Sequence, residues 1–188
     1  MKPSFGKFNY KISIIIGMIL VDEMKLSTSL AFNKKTLKVE GFTDLGKWTP
    51  DHQKGEKGDH ALVIMFQPFK GSWVQALGCF LSKGSASGSV LHKILAEGIV
   101  LAENAGLKVD GIASDGASWN RSMWNFFGIS EENASVPHPV DESRKLWFFS
   151  DFPHLIKCMR NFFTKQNKYS YSIHVSYFLS IFFSRFKF

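Results

Sequence analysis

Two carboxylates stand where apolar runs stop. Asp22 follows Ile14-Ile15-Ile16-Gly17-Met18-Ile19-Leu20-Val21, and Asp115 follows Val109-Asp110-Gly111-Ile112-Ala113-Ser114. An acid at the end of a buried strand is held on a rigid element at the sheet's edge, where open α/β sheets bind ligands. Two such acids on neighbouring strands can share one divalent cation. A pair of this kind is the beginning of a two-metal centre for phosphoryl transfer. A complete centre needs a third acid, and none stands where the sequence should supply it. The plainer alternative is that each acid accepts N–H bonds from the turn that follows it.

Other candidates near these runs are weaker. Glu23 alternates to the face opposite Asp22 and is a poor substitute for the third acid. Asp151 also ends a strand-like run, so it is read either as approaching the metal site or as the cap of a helix beginning near Pro153. Asp151 and His154 have the spacing of a metal pair, but the pattern is commoner as an N-cap and a polar first turn. His52 and His60 fall in a Gly- and Lys-rich loop and read as solvated.

The elements that must position these residues follow from hydrophobic period and turn chemistry. Ile12 to Val21 reads as a first strand, although Lys2, Lys7 and Lys11 before it also resemble the start of a secretory signal. The β-branched content and the run of about ten residues, where a membrane helix needs about twenty, favour the strand. Leu30 to Phe32 and Leu37 to Phe42 read as a hairpin around Asn33-Lys34-Lys35-Thr36. Gly46 to His60 is a loop, and Ala61 to Phe66 and Trp73 to Leu81 are two further strands. Ser87 or Ser89 caps a helix carrying Val90, Leu91, Ile94, Leu95, Ile99 and Leu101 on one face, which ends near Asn104 with Gly106 beyond. Val109 to Ala113 is a strand, Ser118 to Phe127 a helix stopped at Gly128, and Glu131 to Ser143 a loop. Leu146 to Phe149 is a strand, and Leu155 to Phe163 a helix after Pro153.

The 188 residues and 45% hydrophobic content suit one packed domain. The net charge of +7 favours an anionic partner, nucleic acid being the commonest for a basic domain. Lys34, Lys35, Lys38, Lys47, Lys54 and Lys57 could meet phosphates, with ordinary solvated charge the stronger reading. Trp119, Trp124 and Trp147 read as core residues rather than base-stacking platforms. The Gly84 to Gly88 stretch lacks the Lys-Ser/Thr of a phosphate loop and is a connector. Cys79 and Cys158 form no metal or disulfide pattern, which fits a reducing compartment. Tyr169 to Phe183 alternates apolar and polar residues, a strand-like stretch with an aggregation hazard if left at an edge.

Strand, hairpin, strands, helix, strand, helix, strand, helix is the order of a ribonuclease H-like fold. There the first strand is central and pairs in parallel with the strand after the first helix. Four segments carry a resemblance to a family: Val21-Asp22-Glu23-Met24; Glu40-Gly41-Phe42-Thr43-Asp44-Leu45-Gly46; Ser114-Asp115-Gly116-Ala117-Ser118-Trp119-Asn120-Arg121; and Asp151-Phe152-Pro153-His154-Leu155-Ile156-Lys157 with Arg160-Asn161. Together they resemble the ribonuclease H-like part of P-element transposases, including the THAP-domain-containing transposase-like proteins. The likeness spans Ile19 to Phe163, so the chain divides into a non-family segment 1–18, a partial domain 19–163 and an aromatic, Ser-rich tail 164–188.

The resemblance implies an α/β, ribonuclease H-like mixed sheet flanked by helices, incomplete, and an Asp-Asp-Glu triad with two Mg²⁺ (or Mn²⁺) ions. Asp22 and Asp115 would be its catalytic, metal-binding acids. It also implies DNA as partner, specifically transposon ends, a nuclear location and no membrane, with oligomerisation open. GTP belongs to a domain inserted in the intact family and falls outside this sequence, as do the glutamate of the triad and a THAP-type zinc set. The expectation is a transposase fragment with two of three acids, inactive in cleavage and strand transfer. The alternative is a domesticated DNA- or protein-binding module without catalysis.

Overall fold

The isoleucine-rich run lies inside a sheet, paired on both sides. The computed structural model describes residues 14–165. The readings of Lys2, Lys7, Lys11 and Ile12, and of the stretch from Tyr169 onward, lie outside the described residues. Strand β1 (Ile15–Lys25) is followed by the hairpin β2 (Ala31–Asn33) and β3 (Lys38–Glu40), then by β4 (His60–Pro68) and β5 (Gln75–Ser82). Helix α1 (Gly88–Asn104), β6 (Leu107–Ser114), α2 (Ser118–Phe127), β7 (Ser135–Pro137), β8 (Lys145–Ser150) and α3 (Phe152–Lys165) complete the order. The main sheet runs β5-β4-β1-β6-β8-β7. β1 pairs antiparallel with β4 and parallel with β6, and β6 pairs parallel with β8. The mixed sheet expected from the sequence is therefore present, with β1 and the strand after α1 side by side.

Alternation along the strands assigns the faces. Ile19 and Val21 of β1, Leu62, Ile64 and Phe66 of β4, Ile112 of β6 and Phe148 of β8 join Leu91, Ile94, Leu95 and Ile99 of α1 in one buried cluster. The residues between them on β1 stay half-buried, and Ile16 is exposed. Trp147 also departs from the core reading: it is 44% exposed, with the Lys145 ammonium 5.7 Å from its ring centre. Trp119 and Trp124 do pack against the core.

Local chemistry sets the helix ends. Ser87, rather than Ser89, is the cap of α1, its hydroxyl accepting the Val90 N–H at 3.4 Å. Gly128 ends α2 in the left-handed region at φ 87°, where a side chain would be strained. Gly17 is required for a different reason. A Cβ there would overlap the Gln67 carbonyl oxygen and the Pro68 backbone on β4, and neither can rotate away. Gly17→Ala is accordingly expected to destabilise the domain by about 3 kcal/mol in chemical denaturation, the upper part of the range for overpacking.

Several boundaries differ from the sequence reading. α3 starts at Phe152, before Pro153, rather than at Leu155. β1 continues past Asp22 to Lys25 because β4 keeps pairing with it as far as His60. The segment taken as a loop, Glu131 to Ser143, contains β7, a short antiparallel edge strand on β8. His60 opens β4 half-buried, its Nδ1 2.8 Å from Asp59 Oδ1, rather than lying solvated in the loop.

The end of the sheet away from Asp115 is tied by charge. Glu103, at the end of α1, has a side chain only 2% exposed. It accepts the Val109 N–H at 2.8 Å and bonds from Lys108 at 2.8 Å and Arg144 at 2.9 Å. Burial alone would raise its carboxyl, but Lys108, the Val109 N–H and Arg144 outweigh burial and hold it below the usual range. Arg144 also bonds Asp110, joining α1, β6 and the segment before β8.

Candidate metal centre

The register brings the residues just before the three acids side by side. β1 and β6 pair as far as Val21 with Ser114, and β6 and β8 as far as Ser114 with Ser150. The next residues are Asp22, Asp115 and Asp151. The Asp151 N–H donates to the Ser114 carbonyl at 2.9 Å, continuing that alignment. Neighbouring strands lie about 4.8 Å apart, so adjacent acids at one level are within reach of a common small cation.

Each acid has a different local partner. Asp22 is exposed, and its Oδ1 accepts the N–H of Glu23 at 2.9 Å. Asp115 is half-buried, and its Oδ1 accepts the Ala117 N–H at 3.0 Å and the Asn120 amide N–H at 2.6 Å. One oxygen of Asp115 therefore serves the start of α2, as the turn-capping reading requires. Its Oδ2 has no hydrogen bond among the described residues, and neither does Oδ2 of Asp22. Asp151 accepts the His154 N–H at 3.2 Å and its carbonyl accepts the Leu155 N–H, so it caps α3. Among the described residues no group of three or more His, Cys, Asp or Glu is arranged to hold a metal ion. Among the described residues Asp22 and Asp115, each with one uncommitted carboxylate oxygen, would suit a single hard cation completed by water.

Glu23 points to the helix-covered side, as alternation requires. Its Oε1 accepts the Ala86 N–H at 2.9 Å, while Oε2 is buried without a partner. Burial pushes this carboxyl above its ordinary value, and the nearby Asp115 charge adds to the rise. The Ala86 N–H, Ser85 and His60 oppose it. Its role is to tie β1 to the connector before α1.

Asn120 is the residue the sequence reading passed over. It is 4% exposed, its amide N–H orients Asp115, and its Oδ1 is buried without a partner. Its place in the first turn of the helix after the acid was the available signal. Asp115→Asn, which keeps an acceptor for the Ala117 N–H, is expected to melt within a few tenths of a kcal/mol of the parent. Asp115→Ala is expected to lose about 1 kcal/mol with the bonds to the Ala117 N–H and Asn120. Thermal unfolding of the two variants checks this split.

A family model described as TNP-like, RNase H N-terminal domain matches residues 7–128. The Transposable element P transposase of Drosophila melanogaster is 33% identical over 106 residues, 56% of this chain and 13% of that protein. The human DNA transposase THAP9 is 25% identical over 149 residues, 77% of this chain and 16% of that protein. A solved structure, the Drosophila P element transposase strand transfer complex, aligns with TM-score 0.60 and 27% identity over 78% of this chain and 28% of that one. The chain thus spans less than a fifth of the curated relatives it matches. No helix among the described residues is long and apolar enough to cross a membrane. With its mixed sheet, parallel β1–β6–β8 core and matched residues, the chain belongs to the TNP-like, RNase H N-terminal domain family.

Proposed function

We propose that this chain is the ribonuclease H-like part of a P-element-type DNA transposase in which Asp22 and Asp115 share one Mg²⁺ or Mn²⁺ beside a DNA phosphate. The observation that supports this reading is the parallel register that pairs Val21 with Ser114, the residues immediately before Asp22 and Asp115, each acid having one carboxylate oxygen uncommitted within the described residues. The bound cation supplies charge stabilisation at a phosphoryl oxygen. The chain's own residues do the rest of the positioning. β4 holds Asp22 on a strand that continues beyond it, Asn120 and the Ala117 N–H fix the Asp115 carboxylate, and Glu23 anchors the connector before α1. Exposed Lys34, Lys35 and Lys38 on the hairpin supply sequence-independent contacts to phosphates. Transposon ends are the DNA partner, and the nucleus is where that DNA is met.

Two acids make one ion site, whereas in-line displacement in this class places ions at both the attacking and the leaving oxygen. The described residues therefore support holding a cation beside DNA rather than cutting it. A second reading, a binding module that keeps the fold without metal, is favoured by the use of Asp115 Oδ1 in bonding the Ala117 N–H and the Asn120 amide. Incubating the full chain with supercoiled DNA and Mg²⁺ or Mn²⁺ separates the outcomes. Salt-dependent binding without nicking is expected, and nicking that disappears in Asp22→Ala would overturn the claim of inactivity.

A further inference from the structure

We infer that a cleft between β5, α1 and the Leu45–Trp48 turn is a docking site for an aromatic side chain on an acidic segment of a partner protein. The cleft has a volume of about 300 Å³ and is lined chiefly by Leu45, Ile64, Leu77, Phe80, Ile94 and Leu101. That volume lies at the lower end of natural ligand pockets and accommodates a ring. Gly98 forms part of the wall in the middle of α1. A mid-helix glycine costs about 1 kcal/mol against alanine, so it calls for a reason. For Gly88, on the same helix, the reason is packing, because a Cβ there would strike Ser122 and the Met123 backbone on α2. At Gly98 a Cβ would meet nothing within 4 Å. The missing side chain leaves space and relieves no clash.

One wall of the cleft is tied together by polar contacts. The Trp48 indole donates to Glu97 Oε2 at 3.0 Å, and Lys47 pairs with Glu97 Oε1 at 2.7 Å. The Lys47 and Lys93 ammoniums lie 5.1 and 5.2 Å from the centre of the Trp48 ring. Glu97 is committed to Lys47 and Trp48, and Lys93 has no ion pair among the described residues. The rim therefore carries an uncompensated positive charge beside an apolar hollow, which complements a ring flanked by acids. Leu101, 62% exposed, and Leu77, 36% exposed, extend the apolar surface outward, as expected of a protein contact. A nucleobase is disfavoured because the polar side chains of the lining, Lys47, Trp48 and Glu97, are bonded to one another and the remaining side chains are apolar.

Fluorescence anisotropy of the full chain tests this with a fluorescein-labelled peptide bearing one tryptophan among aspartates and glutamates. Saturable binding is expected, weakened at least about tenfold by alanine in place of the tryptophan, by Gly98→Leu, which fills the hollow, or by Leu101→Ser at the rim. Lysines in place of the peptide's acids, or Lys93→Glu in the protein, are expected to weaken it similarly. Gly98→Leu should melt at or above the parent temperature, since leucine is the better helix former, so its loss of binding would not reflect unfolding. Equal binding of the alanine peptide, or binding untouched by Gly98→Leu, would overturn the proposal. So would Gly98→Leu weakening duplex DNA binding while leaving the peptide unaffected.

Discussion

Arg144→Leu is expected to lower the unfolding free energy by about 3 kcal/mol, because it strips the Glu103 carboxylate, 2% exposed, of the guanidinium whose Nη1 donates to both its oxygens. Lys108 and the Val109 N–H remain, but Lys108 is partly solvated, with 37% of its side chain exposed. The double variant Glu103→Leu with Arg144→Leu should lose clearly less than Arg144→Leu alone, since the buried charge leaves with its partner. Urea denaturation of the three proteins decides the matter, and equal losses would mean that Arg144 acts only through packing.

The same cluster gives the domain an acid sensitivity. His138 is fully buried. Its Nδ1 accepts the Val140 N–H at 3.2 Å, which leaves the proton on Nε2. Nε2 lies 3.5 Å from Glu103 Oε1. Burial, followed by the Arg144 charge, pushes its pKa down, while Glu103, the Val109 backbone and Asp110 oppose that shift. The unfolded chain therefore takes up a proton that the folded one refuses, and stability is expected to fall as pH drops below about 6.5. Glu103 adds a second loss at lower pH. Its folded carboxyl titrates below the ordinary value, so its contribution is present above about 4.3 and disappears as pH falls through the folded value.

Phe66→Ala is expected to cost about 4 kcal/mol, the other large effect. The ring is 0% exposed on β4 and lies 5.8 Å from the Trp73 ring. It also fills the space that Gly17 leaves beside it on β1. Truncation opens a cavity between two paired strands and a helix, where collapse is limited. Trp73→Ala, at a residue 42% exposed, should cost about 1 kcal/mol, so the comparison separates core packing from surface contact.

Much of this fold could be read from residue order because its strands announce themselves by composition. The β-branched run into Asp22 and the Val109 to Ala113 run sit side by side as the ribonuclease H-like order requires, and the Ser87 cap and Gly128 stop bound the helices. What stayed hidden depended on partners distant in sequence. β7 is three residues long, contains Pro137 and exists only because β8 offers it an edge. The extension of β1 beyond Asp22 comes from β4, whose pairing no local pattern in β1 predicts. The Glu103–Arg144–Asp110 tie joins groups 34 and 41 positions apart, and a lone glutamate at a helix end reads as solvated. At the site, the acids were legible because each ends or interrupts an apolar run. Asn120 was not, because its place in the first turn after Asp115 points to that acid only once the acid is assigned to the site.

The central claim is that Asp22 and Asp115 share a divalent cation, and calorimetric titration of Mn²⁺ into the full chain tests it most directly, with Asp22→Ala and Asp115→Asn alongside. The account predicts saturable binding by the parent at one ion per chain, weakened at least about tenfold in each variant while both retain the parent's melting behaviour within about 1 kcal/mol. A folded parent that binds no Mn²⁺, or binding equal in all three proteins, would contradict it.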